Sequence, residues 1–257
     1  MTTHVVVRRG GILAAVVACT VLLDAGAAMA AAGDGSAYGV DVDVTLVGSP
    51  AVHVGPLAAS NTNGPTTNTL ATVTAPGILT TGVITTSATR DTTTGAVTAK
   101  ASTANVGLPL LNIPLGTVKA QAIEADCTAT QQGVTGSSTF LNATLGSLGA
   151  VAATPAPNTT LAVNVATVHI ATIILNEQIH NPDGSLTVNA LHVKLLGGVL
   201  GSLGSGDVIV SSVTCGPAGL PVPLASGAGM WIAFGLLGVF AVPVGVGVIR
   251  RRSATSF

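Results

Sequence analysis

Residues 36–47 read SAYGVDVDVTLV, and from Val40 to Leu46 apolar and polar side chains alternate without a break. Val40, Val42, Val44 and Leu46 point to one side of an extended chain, and Asp41, Asp43 and Thr45 to the other. A period of two belongs to a strand with one buried face, because a helix would need apolar residues three and four apart. Similar runs return in ILTTGVITTSATR (78–90), AVTAKASTANV (96–106), KAQAIEADCTAT (119–130) and GDVIVSSVTC (206–215). Turn signals separate them at Gly64-Pro65, Pro76-Gly77 and Asp91–Gly95. Residues 158–180 form a β-branched stretch that reads as two short strands or one with a bend. Pro109 and Pro114 interrupt GLPLLNIPLG, which reads as an edge or a crossing loop. No stretch between residues 31 and 226 carries apolar residues at helical spacing. The pattern predicts an all-β fold, an antiparallel sandwich or a barrel-like domain, with helices only at the two ends of the chain.

The two ends differ from the middle. Near the C-terminus, Met230 to Ile249 is a run of 20 residues without a charge. At about 1.5 Å per residue in a helix it spans about 30 Å, the hydrocarbon thickness of a bilayer. Trp231 at one end and Arg250, Arg251 and Arg252 at the other are interface anchors, and the arginines mark the cytoplasmic side. At the N-terminus, Arg8 and Arg9 precede the apolar run Ile12–Leu23, and Ala28-Met29-Ala30 follows. This is the order of a secretory signal peptide, with cleavage expected between Ala30 and Ala31. Two rivals are weaker. Val16-Val17-Ala18-Cys19 resembles a lipidation site, and Arg8-Arg9 resembles a twin-arginine signal. The expected organisation is a signal peptide (1–30), an extracellular β domain (31–216), a Pro/Gly linker (217–226), a transmembrane anchor (227–249) and a basic cytoplasmic tail (250–257). Leu220-Pro221-Val222-Pro223-Leu224 lies where a sortase motif would, but Pro223 replaces the threonine whose carbonyl is attacked. The single-pass helix is therefore expected to remain as the anchor.

Composition narrows the function. Residues 31–226 carry Arg90, Lys100, Lys119 and Lys194 against seven aspartates and two glutamates, a net charge of −5. That excludes a basic patch for nucleic acid. The only aromatics there are Tyr38 and Phe140, so a sugar-stacking platform is poorly supplied, which weakens a lectin reading. No nucleophile elbow, HExxH, P-loop or dinucleotide fingerprint is present, so neither a catalytic residue nor a cofactor is assigned.

Cys19 leaves with the signal peptide, and Cys127 and Cys215 remain. An even pair in an oxidising compartment predicts a disulfide. Neither cysteine has a second Cys or a His at ligand spacing, so no metal site is expected at them.

The sharpest local expectation concerns residues 173–193. Asn181-Pro182-Asp183-Gly184 reads as a four-residue loop. His180 then pairs with Ser185, Gln178 with Thr187 and Asn176 with Asn189 on a polar face. Ile179, Leu186, Glu177, Val188, Leu175 and Ala190 share the buried face, with His192 further along it. Glu177 is the one carboxylate on that face and needs a hydrogen-bonding partner or a raised pKa.

Leu175–Val193, LNEQIHNPDGSLTVNALHV, resembles the choice-of-anchor P family of actinobacterial surface proteins. Ser36-Ala-Tyr-Gly39, Pro155-Ala-Pro-Asn158, and Gly206-Asp-Val-Ile-Val210 leading to Cys215 carry the same resemblance. It implies a signal peptide, a β-rich domain and a C-terminal anchor, and brings no catalytic residues. The leading reading is thus a membrane-anchored bacterial cell-surface protein with a non-catalytic structural or binding domain, whose partners are the membrane and a cell-wall or extracellular ligand. The alternative is a surface hydrolase or metal-dependent enzyme built on Glu177, His180 and His192.

Overall fold

The computed structural model describes residues 32–198 and 203–219. The expected signal peptide and its Ala30/Ala31 cleavage point, the transmembrane segment, Trp231 and Arg250–Arg252 lie outside the described residues, as do Cys19 and Leu220–Leu224.

Among the described residues, fifteen strands follow one another. They are β1 (Gly35–Leu46), β2 (Ala51–Leu57), β3 (Ser60–Asn61), β4 (Thr67–Leu70), β5 (Val73–Ala75), β6 (Leu79–Thr81), β7 (Ile84–Arg90) and β8 (Val97–Gly107). After them come β9 (Val118–Thr130), β10 (Gly133–Leu141), β11 (Thr144–Leu145), β12 (Thr159–Val165), β13 (Val168–His180), β14 (Leu186–Leu195) and β15 (Gly204–Cys215). One sheet runs β12-β13-β14-β15-β1-β2, with β3 on β1. The other runs β10-β9-β8-β6-β5, with β11 on β9 and β7 joining β4 to β8. The pairings are antiparallel, and the sheets face each other over a single core. This is the expected all-β sandwich. Helix also occurs within the described domain, where the sequence pattern predicts none. The Pro109–Pro114 stretch forms a 3-10 turn at Pro109–Leu111 and a short helix, α1, at Asn112–Leu115. Proline is tolerated in a first helical turn, where its missing N–H has no partner to lose.

The core contains little aromatic surface and is filled by shape. The first sheet contributes mostly branched side chains, among them Val40, Val42, Val208, Val210 and Leu191, all nearly inaccessible. The second contributes many alanines, among them Ala88, Ala99, Ala101, Ala125 and Ala129, beside larger residues such as Ile84 and Ile123. Large against small lets the layers interdigitate at native density. Gly39 extends the same logic, since a Cβ there would lie 2.0 Å from Ile84 Cγ2.

Cys127 in β9 and Cys215 at the end of β15 are bonded, so the predicted disulfide joins the two sheets across 88 residues. The first and last strands are neighbours, with Gly35 opposite Cys215. Gly33 N–H donates to Pro217 O, and Gly216 N–H donates to Asp34 O. The described chain therefore enters and leaves the sandwich at the same end.

One level of the first sheet breaks the alternation. Leu175 and Glu177 pair with Leu191 and Asn189, these with Val210 and Ser212, and these with Val40 and Tyr38. Asn176, Ala190, Ser211 and Gly39 lie between, and all four are buried. The inward set changes parity at this level: 173 and 175 but also 178 in β13, 191 and 193 but 186 and 188 in β14, 208 and 210 but 213 and 215 in β15. Because all four strands carry the extra inward residue at one level, the register is the same on both sides. Asn176 and Ser211 adopt φ of 51° and 56°, in the left-handed region that asparagine tolerates better than serine. Ser211 is secured there by its hydroxyl, which donates to Ile123 O at 2.9 Å and meets Thr103 Oγ1 at 2.9 Å.

Candidate functional site

The hairpin β13–β14 corrects the expected register. His180 pairs with Leu186, Gln178 with Val188 and Glu177 with Asn189, one residue off the four-residue reading. The loop has five residues, Asn181 to Ser185, closed by Asn181 N–H to Ser185 O. Its cause is Asp183, whose Oδ1 accepts from both the backbone N–H (2.9 Å) and the hydroxyl (2.6 Å) of Ser185. Ser185 is thereby held in the turn and withheld from the ladder. A slip of one residue exchanges faces. Ile179 is accordingly exposed, Asn176 is buried, and Glu177 lies on the outer face, where the four-residue loop would have put it inward.

The parity change then creates a polar cluster on that outer face. Under strict alternation, Asn189 and His192 would point to opposite sides of β14. The extra inward residue at Ala190 brings both outward, and the same device brings Asp207 and Ser212 to one side of β15. Glu177, Asn189, Ser212 and Tyr38 form one rung across four strands, with His192 on the next level. Glu177 Oε2 accepts from Asn189 Nδ2 at 2.7 Å and meets His192 Nδ1 at 2.9 Å. His192 Nε2 lies 2.8 Å from Asp207 Oδ1. Ser212 Oγ donates to Asn189 Oδ1 at 2.6 Å, and Tyr38 stands opposite Ser212 on β1.

The electrostatics follow from these partners. With a carboxylate at each ring nitrogen, only the imidazolium form of His192 donates at both. Burial works against that charge, but the bonds to Glu177 and Asp207 outweigh it and raise the His192 pKa above its ordinary value. The bond from His192 holds Glu177 below the usual carboxylate range, with burial opposing and Asn189 helping. Burial raises Tyr38.

Of the sequence candidates, Glu177 and His192 meet, while His180 sits exposed at the end of β13 and takes no part. Sequence reasoning pairs Asn189 with Asn176, counts Tyr38 only as one of two aromatics, and offers neither Asp207 nor Ser212 as a candidate. The Asp183-Gly184-Ser185 turn was the signal that reveals Asn189 opposite Glu177. A general base needs a free lone pair, and His192 has none while both nitrogens are engaged. Ser212 is 1% exposed and directs its hydrogen to Asn189, not to the histidine. Among the described residues no group of three or more His, Cys, Asp and Glu is placed to hold a metal ion.

The two residues flanking Glu177 anchor the connector ahead of β12. Asn176 Nδ2 donates to Pro155 O at 2.9 Å, and Gln178 N–H to Asn158 Oδ1 at 2.8 Å. Gln178 Nε2 reaches across the core to Gly136 O of β10 at 2.9 Å. Two stretches far apart in the chain, Pro155–Asn158 and Asn176–Gln178, thus form one unit. Comparisons with protein-family models, with curated proteins and with solved structures return no match to this chain.

Proposed function

We propose that this chain is a bacterial surface protein held by one C-terminal membrane helix, with a β domain that supports or binds outside the membrane and does not catalyse. The observation that carries the non-catalytic part is His192, the best-placed acid–base group of the domain, whose two nitrogens are both engaged by carboxylates. The Cys127–Cys215 bond supports an oxidising compartment. The signal-like N-terminus, the uncharged run Met230–Ile249 and the three following arginines support the topology. The resemblance to the choice-of-anchor P family belongs to the same proposal. Protease added to cells stripped of their wall is expected to degrade the β domain and spare a tag placed after Phe257. Protection of the β domain overturns the topology.

A further inference from the structure

The outer face of the second sheet holds an open cleft of about 460 Å³. Its polar lining is Thr80, Asn105, Lys119, Gln121 and Asn142, around the backbone of Gly107. The volume lies within the range of small-ligand sites. By contrast, the apolar void under Phe140 and Leu191 offers only about 10 Å³, barely one water.

Three features mark the cleft as built for a ligand. The first is unspent polarity. Asn142 Nδ2 donates to Gln121 Oε1 at 2.7 Å, which leaves Gln121 Nε2 and Asn142 Oδ1 without a protein partner among the described residues. Lys119 likewise has no ion pair there, whereas Lys100 bonds Glu124 and Arg90 lies 3.8 Å from Asp34. In a stretch of net charge −5, no carboxylate among the described residues lines this cleft. The second feature is backbone conformation. Asn105 and Asn142 adopt φ of 48° and 47°, in the left-handed region, and both line the cleft; residues held there are common at ligand sites. The third is position. Lys119 is the second residue of β9, and Gln131, just past its end, donates through Nε2 to Gly219 O, where the described chain ends. At about 3.3 Å per residue the cleft lies about 40 Å along the strand from that exit, at the far tip of the sandwich.

The lining defines the chemistry. One ammonium without an arginine fork is a poor phosphate cradle, which gathers several cations or convergent N–H groups. Primary amides, each both donor and acceptor, match hydroxyls that are also both. Tyr38 and Phe140 do not line the cleft, so a neutral sugar finds no ring to stack on. We propose that the cleft binds an acidic saccharide, its carboxylate on Lys119 and its hydroxyls on the amides of Asn105, Gln121 and Asn142. This deepens the binding reading given above and rests on it for where the ligand is met.

The test is calorimetric titration of the full chain in detergent micelles with a tetrasaccharide alternating glucuronate and N-acetylglucosamine. The neutral comparison is the tetramer of N-acetylglucosamine. The acidic probe is expected to bind saturably and the neutral one about tenfold more weakly or worse. Lys119→Met should weaken the acidic probe by about tenfold, while His192→Ala, on the other sheet, should leave it unchanged. An unchanged unfolding midpoint for Lys119→Met shows that its loss is local. Absence of saturable binding, equal affinity for the neutral tetramer, indifference to Lys119→Met, or displacement by equimolar inorganic phosphate each overturns the proposal. Failure here leaves the protease result standing, and protection of the β domain from protease leaves binding in micelles untouched.

Discussion

His192→Ala probes the cluster that spans β13, β14 and β15. The substitution removes one bond to Glu177, whose side chain is 15% exposed, and one to Asp207, 43% exposed. A charge-assisted bond to a largely shielded carboxylate contributes about 1.5–3 kcal/mol, and the exposed pair about 0.5 kcal/mol or less. The expected loss near pH 6 is thus about 2–3 kcal/mol, or about 5–10 °C in Tm for a domain of this size. The pH dependence is the sharper readout. His192 is raised in the folded protein, so its stabilisation is complete below the ordinary value of 6.5 and is lost as pH rises through the folded pKa. Glu177 is lowered, so its contribution is present above the ordinary 4.5 and is lost as pH falls through the folded pKa. Between those limits the wild-type domain should be most stable, and His192→Ala should abolish the decline on the alkaline side. Tyr38, Asp41, Asp43 and Lys194, on the same face, remain in both proteins and cancel in the comparison. Urea unfolding of residues 32–219 at intervals from pH 4 to 9 measures this. A wild-type curve flat between pH 6 and 9, or a variant with the same alkaline slope, refutes the imidazolium clamp.

Two further outcomes concern the packing. Replacing Cys127 and Cys215 together by alanine should cost about 4–5 kcal/mol in the chain-entropy account for a loop of 88 residues, measured as a shift in the urea midpoint. Gly39→Ala should cost about 1–3 kcal/mol, because its methyl meets Ile84 Cγ2. Combined with Ile84→Ala, the total should fall clearly below the sum of the two single costs; additivity would show that the two positions do not touch.

Much of the architecture was legible without coordinates, because strand periodicity and turn chemistry are local. Val40, Val42 and Val44 are buried as their spacing requires, the Asp91–Gly95 turn joins β7 to β8, and Cys127 and Cys215 are joined. The register of the β13–β14 hairpin was half legible. The loop was located correctly, but its length turned on whether Asp183 would hold Ser185 in the turn, a competition between a side chain and a ladder bond that composition alone does not decide. The polar cluster was beyond reading from alternation. It exists because Asn176, Ala190, Ser211 and Gly39 fall at one level of four adjacent strands, and strands 39 and 211 residues along the chain become neighbours only when the sheet forms. A parity change in one strand would be a local defect. Shared by four, it becomes a feature of the sheet, and it turns Glu177, His192 and Asp207 toward one another.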